Sequence, residues 1–396
     1  MMVLRYSIAC LLLCSLSLQA SDAPLSALKK EQIEIDKELD SLKASNLKYD
    51  WINPIVASYS YSVSDQFSVE NKARYFRISL DQPLFKSGGI YFAIKYSDAS
   101  KTFASIATSL KEQNLIKSLY SAVLNLQKID LQLAKLNLQV ANAQIDIARK
   151  REQFEGGLID SSFLDSAILL KSAKEQLLLD VQQQRFTLMQ NFKNISDVDY
   201  KTITLPHFIM VDEKEFLEKN LELQSSKAQQ KQARYLKNMT ISNYLPTLSL
   251  FGEYSNKKDS FRIFQQNNES KNYGLRLSMP ILDVNRGRNI EIRKLEYLKS
   301  KILLKDKQKE IANSFKTFQN SIDILKKREV LAQKDESLYG GLVLVAEDGL
   351  RAGEKTRSDV DTLVNSKSIA ALDAKIFSIE IQEKFLELYT KMSDEI

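Results

Sequence analysis

The sequence has little of what most enzymes use. Its 396 residues include one histidine, His207, and two cysteines, Cys10 and Cys14, so His- or Cys-based catalysis and clustered metal ligands have almost no raw material. His207 follows Pro206 in a connecting segment, where a lone histidine reads as structural or solvated. Glycine (11) and proline (6) are scarce too, which leaves few points at which a helix must stop. The formal charge of +6 comes from 56 basic against 50 acidic residues; it forms no basic block and points away from nucleic acid. After Ala20 no run of about eighteen apolar residues occurs, so no membrane-spanning helix is expected. What is present, 44% hydrophobic and 27% charged residues, is enough apolar material to exclude disorder for most of the chain.

Both cysteines fall in the first twenty residues. There Arg5 precedes an apolar run from Ile8 to Leu18, and Ala20 closes it before Ser21-Asp22. This is the pattern of a secretory signal peptide over residues 1–20. Leu13 before Cys14 argues against lipid attachment at that cysteine. Cleavage after Ala20 leaves a mature chain from residue 21 without a thiol, suited to an oxidising compartment, and removes one positive charge with Arg5.

The positions of the breakers show the organisation. Gly89 to Gly156, Leu158 to Leu205, Arg288 to Tyr339 and Glu354 to Ile396 contain neither glycine nor proline between their ends. A helix of some 66 residues would be about 100 Å long, beyond any compact domain. These stretches carry apolar seams at threes and fours: Leu115, Leu119, Val123, Leu126, Ile129, Leu133, Leu136, Val140, Ala143 and Ile147, then Ile311, Phe315, Phe318, Ile322 and Leu325. Helices packed side by side as in coiled coils are expected.

At two places the period changes to two. Ile55, Ala57, Tyr59, Tyr61 and Val63 alternate with Ser58, Ser60, Ser62 and Ser64, and Phe76, Ile78 and Leu80 alternate with Arg77, Ser79 and Asp81. Leu248, Leu250 and Tyr254 oppose Thr247, Ser249 and Glu253; Tyr273, Leu275, Leu277 and Met279 oppose Gly274, Arg276 and Ser278. Strands of about ten residues with one apolar and one polar face suit a tilted crossing of a bilayer, while a half-buried sheet gives the same alternation. Residues Asp65–Ala73 and Asn256–Lys271 read as polar outward loops. Four strands cannot close a barrel, and an open edge in lipid strands backbone groups, so several copies must share one barrel.

The order repeats. Pro54 and Pro246 are 192 residues apart, Pro83 and Pro280 are 197 apart, and Gly157 and Gly353 are 196 apart. The first repeat is expected over 21–205, with a hairpin at 54–85 and helices at 88–156 and 158–195. The second is expected over 206–396, with a hairpin at 246–283 and helices at 287–350 and 354–392.

With this order, the chain resembles the TolC-like outer membrane efflux proteins. Asn243-Tyr244-Leu245-Pro246-Thr247-Leu248 resembles the family's strand entry, Leu277-Ser278-Met279-Pro280-Ile281-Leu282-Asp283 its exit, and Asp81-Gln82-Pro83-Leu84-Phe85 with Gly88-Gly89 the first-repeat exit. Phe154, Gly157, Leu158 and Leu164, then Leu350, Gly353 and Val360, resemble its helix turns. The resemblance implies a mainly α fold with a β-barrel part: three subunits, twelve strands in the outer membrane and a periplasmic barrel of helices that closes at its inner end. It implies a gate at Asp359 with Asp361 and Lys355, although Thr362 stands where a second acid belongs and Phe163 where the first repeat would carry one. Electrostatic support of a helix start by the same acids is the other reading.

The function implied is a passive export duct across the outer membrane, with no chemistry and no cofactor of its own. The turns at Gly157-Leu158 and Gly353-Glu354 would meet a periplasmic adaptor protein and an inner-membrane pump, and drugs, metals and secreted proteins all suit a wide water-filled tube. A poreless periplasmic coiled-coil adaptor or scaffold is the rival reading; it calls for one helical hairpin and an anchor.

Overall fold

The computed structural model describes residues 23–66, 69–206, 208–261 and 264–393. The signal-peptide stretch, with Cys10 and Cys14, and His207 lie outside the described residues. In chain order the elements are α1 (Ala27–Tyr49), β1 (Val56–Gln66), β2 (Val69–Phe85), α2 (Gly89–Glu155), α3 (Ser161–Lys193), a single 3-10 turn (Tyr200–Thr202), α4 (Glu213–Lys219), α5 (Leu221–Ser242), β3 (Thr247–Phe261), β4 (Phe264–Ser278), α6 (Arg286–Arg351) and α7 (Arg357–Tyr389). The two long helices, of 67 and 66 residues, are each followed by one of 33.

Helices form where the breakers are missing, and they pack through the apolar seams. Leu119, Val123, Leu126, Ile129, Leu136, Ala143 and Ile147 of α2 are buried, as are Ile311, Phe315, Phe318, Ile322 and Leu325 of α6; Leu133 and Val140 are half-buried. The lower half of α2 pairs with α3 and the lower half of α6 with α7, and α2 also packs on α7. The layer therefore runs α3–α2–α7–α6, with α3 and α6 at its edges. Higher up, α2 packs on α1 and α5, and α5 on α6.

The largest core lies at mid-height, where the short helices meet the long ones: Leu119, Leu126, Phe192, Phe216, Phe315, Leu386 and Met392 are all buried, and the Phe216 and Phe315 rings stand 5.2 Å apart. The segment after Pro206 is not one helix. It breaks at Asn220, whose side chain accepts from the Leu223 amide while Leu221 N donates to Lys391 O across a β-bridge to the chain's end. Asn is a strong cap, and its bridge partner Met392 lies far away in sequence. A charged clamp ties α2 to α3 beside this core: Arg185 Nε donates to Asp130 at 2.6 Å and Tyr200 Oη donates to the same carboxylate at 2.9 Å. Asp130 raises the Arg185 pKa, and burial raises that of Tyr200.

The four strands form one antiparallel sheet in the order β1-β2-β3-β4. They are 11, 17, 15 and 15 residues long, so the expectation of about ten is corrected. The stretches Asp65–Ala73 and Asn256–Lys271, expected as loops, are largely strand. Pairing continues to Gln66↔Val69 and to Phe261↔Phe264. Alternating hydrophobicity marks only the part with one apolar face, whereas the backbone ladder persists where both faces are polar.

Candidate functional site

The register sorts every strand residue onto one of two faces, because directly paired residues share a face. One carries Tyr59↔Phe76, Ala57↔Ile78, Ile78↔Tyr254, Leu250↔Leu275 and Leu248↔Leu277. The other carries Ser58↔Arg77, Ser79↔Glu253, Asp81↔Phe251 and Ser249↔Arg276. The polar face holds two ion pairs, Arg77–Glu253 and Arg276–Asp81, each at 2.7 Å, with the Arg276 guanidinium 4.6 Å from the centre of the Phe251 ring.

The apolar face is not covered by protein. Tyr273 is 83% exposed, Leu277 72% and Leu275 64%, and the sheet's packing partners are its own strands. A contiguous uncovered apolar face of this kind marks contact with membrane or partner. Its outer limit is a line of aromatics that steps back two residues at each strand. Tyr61 stands opposite Arg74, two before Phe76; Phe76 opposite Asn256, two after Tyr254; Tyr254 opposite Lys271, two before Tyr273. Strands inclined to a membrane, with an aromatic girdle at the interface, have this geometry.

At the far end of the molecule the helix pairs turn over. In both turns the chain closes through a glycine in the left-handed region, Gly157 at φ 71° and Gly353 at φ 78°. Gly157 N donates to Phe154 O and Leu158 N to Gln153 O; Gly353 N donates to Leu350 O and Glu354 N to Gly349 O. This pattern satisfies the last carbonyls of α2 and α6 and frees the chain to reverse. The following helices start at Ser161 and Arg357 rather than at 158 and 354, because Asp160 and Thr356 are the caps. Leu158 and Glu354 are exposed at the tip. Gly353→Ala should cost about 1–2 kcal/mol through the left-handed penalty; thermal melting of the variant checks it, and an unchanged melt would mean that the turn relaxes freely.

Asp359 is not a free acid. Its Oδ2 accepts from Thr356 N at 3.0 Å and from Thr356 Oγ1 at 2.8 Å, while Thr356 Oγ1 accepts from the Asp359 amide, a capping box. Its Oδ1 takes Arg149 Nη2 at 3.1 Å, from α2. The Thr356 amide, then its hydroxyl, hold the carboxyl below its ordinary pKa, and the cations of Arg149 and Lys355 add to this. Lys355 folds back over Gly349, where a Cβ would come within 2.8 Å of its Cγ. Asp361 points elsewhere and pairs with Arg357 at 3.0 Å. Thr362 bonds to Ser358 O, and Phe163 is exposed. The structure thus brings Asp359 and Lys355 together and leaves Asp361 apart.

Arg149 is not among the residues singled out by the sequence motifs, although its spacing carries a signal. It ends a series of polar residues on α2 at intervals of seven, each reaching α7: Lys128–Glu383 at 2.9 Å, Lys135–Asp373 at 2.5 Å, Asn142–Asn365 at 2.8 Å and Arg149–Asp359. Heptad spacing keeps them on one face of the long helix. Among the described residues, no group of His, Cys, Asp and Glu is placed to hold a metal ion, and no helix is long and apolar enough to cross a membrane.

Residues 214–366 match the family model described as outer membrane efflux protein. No curated protein sequence matches the chain. Among solved structures the chain is similar to the outer membrane protein VceC from Vibrio cholerae, with 12% identity over 92% of this chain and 93% of that one, at a TM-score of 0.70. It is also similar to the CmeC outer membrane channel of Campylobacter jejuni, with 14% identity over 91% and 82% at 0.68. The open-state MtrE outer membrane channel of Neisseria gonorrhoeae follows, with 13% identity over 91% and 85% at 0.58. The fold is that of the TolC-like outer membrane channels, mainly helical with a small antiparallel sheet.

Proposed function

We propose that three copies of this chain pool their four-stranded sheets into one outer-membrane barrel and continue it through the periplasm as a tube of helices. At the coarser level, an outer-membrane efflux channel with a long periplasmic extension, the reading rests on the efflux-family match over 214–366 and on the shared fold. The observation that carries it is the sheet: an apolar face uncovered by protein, a polar face with ion pairs, and unpaired outer edges on β1 and β4. In lipid those edges must be paired, and a second copy of the chain supplies the partner strand.

The helices support the same closure. At one edge of the layer, α3 exposes Phe163, Leu170 and Leu177; at the other, α6 exposes Ile324, Leu331, Leu338 and Val345, all at intervals of seven. Such stripes suit packing against a neighbouring copy, α3 on α6, in a head-to-tail contact that closes into a ring. The two halves of the chain, 21–205 and 206–396, act as repeats within each subunit. Duct and cargo need no cofactor. The turns at Gly157-Leu158 and Gly353-Glu354 dock a periplasmic adaptor and an inner-membrane pump, and Asp359 with Arg149, Lys355 and Asp361 shapes the closed inner end. The matched family and the structural neighbours are channels rather than enzymes. The poreless adaptor finds no support in a sheet with two uncovered faces.

The mature protein is expected to begin near Ser21 and to fractionate with the outer membrane as a heat-sensitive trimer. Mass spectrometry of the N terminus and sizing in detergent test this; a soluble periplasmic monomer would sink the proposal.

A further inference from the structure

Beyond the aromatic line, the outward face of the sheet breaks a rule of strand pairing. Arg74 on β2 and Lys258 on β3 stand directly opposite each other, and like charges in that relation repel. Both are exposed. Their row of the ladder is Tyr61, Arg74, Lys258 and Asn267, with no carboxylate in it. The guanidinium of Arg74 lies 5.9 Å from the centre of the Tyr61 ring. Of the carboxylates nearby on this face, Glu269 is taken by Lys271 at 3.2 Å, and Asp65 stands at the end of β1. Inward of them, Phe76, two residues along β2 from Arg74, and Tyr254, four along β3 from Lys258, meet edge to face at 6.4 Å. The cation pair therefore sits just outside the aromatic girdle, at the depth of lipid headgroups.

We propose that Arg74 and Lys258 form a docking site for the phosphate groups of an anionic lipid in the outer leaflet. The proposal rests on the outer-membrane channel reading. A phosphate between the two cations removes the repulsion, because its oxygens accept from both a planar guanidinium and an ammonium. Tyr61 adds a ring that holds the guanidinium in place and can contact the upper acyl or sugar part of the lipid. The opposite parity of the same strands does not offer this: there Arg77 and Arg276 already have Glu253 and Asp81. Two cations, Arg74 and Lys258, without a carboxylate partner among the described residues on the lipid side, against Arg77 and Arg276 paired on the other, are what a lipid phosphate, rather than a solute in the duct, would exploit.

The test uses the full-length protein in detergent micelles doped with a diphosphorylated glucosamine-disaccharide lipid, with the same lipid after dephosphorylation, or with inorganic phosphate alone. The wild type should bind the phosphorylated lipid and melt later with it, and respond to neither of the other two. The double variant R74Q/K258Q should bind it roughly thirtyfold more weakly, from about 1 kcal/mol per surface cation. Lys258→Glu gives Arg74 an internal partner; it should raise the melting temperature without lipid and abolish the lipid response. Equal binding of the phosphorylated and dephosphorylated lipids, or an undiminished response in both variants, would overturn the site. So would a response to inorganic phosphate as large as that to lipid. Recovery of the wild type as a soluble protein that needs no detergent would instead refute the channel reading itself.

Discussion

Leu277→Arg should be the most damaging single change in the sheet, costing about 2–4 kcal/mol per chain in folding into a bilayer. Leu277 belongs to the apolar parity, is paired with Leu248 and is 72% exposed in the chain. It lies four residues inside Tyr273, roughly 13 Å along the strand, or about 9 Å along the membrane normal at a tilt near 45°. In an apolar band roughly 25 Å tall this is close to the middle, where a guanidinium is costliest. Leu275→Arg, two residues nearer the girdle, should cost less for the same reason. Ser278→Arg is the control: Ser278 pairs with Thr247 on the other parity, where water is available, and the added charge should be mild. Folding into liposomes, followed by electrophoretic shift across a urea series, measures all three. Similar losses for Leu277→Arg and Ser278→Arg would mean that neither face meets lipid.

Local patterns carried most of this fold. The absence of breakers and the seams of α2 and α6 require no knowledge of partners, since helix length and periodicity are properties of one segment. Likewise, period two located the apolar part of each strand. What was hidden depends on residues that meet only through register. The outer halves of β2, β3 and β4 are polar on both faces, so nothing in a single strand separates them from loop. The break at Asn220 needs Lys391 and Met392, more than 170 residues later. The opposition of Arg74 and Lys258 exists only once β2 pairs with β3. Asp359 was legible as an acid at a helix start, and its capping box with Thr356 could be read from the spacing of three; the heptad spacing marks Arg149 as one of a polar series on α2, but its pairing with Asp359, 210 residues away, needs α2 packed on α7.

That ion pair sets the expectation for the closed inner end. Arg149–Asp359 is the last of the polar contacts joining α2 to α7 before the chain reaches its tip turns, and both side chains are partly solvated, at 41% and 32%. A pair so exposed is worth about 0.2–1 kcal/mol. Three copies acting together in one ring would give about 0.6–3 kcal/mol, enough to shift a closed-to-open equilibrium roughly 3- to 150-fold. Asp359→Asn and Arg149→Gln should therefore each raise the open probability in planar bilayers, and the double variant should add little to either, since both remove one contact. Selectivity separates the acids. Asp359→Asn leaves the Arg149 cation uncompensated, so cation selectivity and block by multivalent cations should both weaken. Asp361→Asn frees Arg357 and should shift selectivity alone, because its partner lies on its own helix.

Acid provides an independent check with a defined sign. The Asp359 carboxyl is held below its ordinary value by Thr356 first and by Arg149. If it holds the proposed closed end, its contribution is complete above the usual carboxylate range and is lost progressively as pH falls from there through the lowered value. Opening of the wild type should stay flat from neutral pH to the usual carboxylate range, rise as pH falls from there through the lowered value, and level off below it. In Asp359→Asn that acid limb should be missing. If neither acid substitution alters open probability, selectivity or block, Asp359 and Asp361 serve only the start of α7 and the gate is built from other residues.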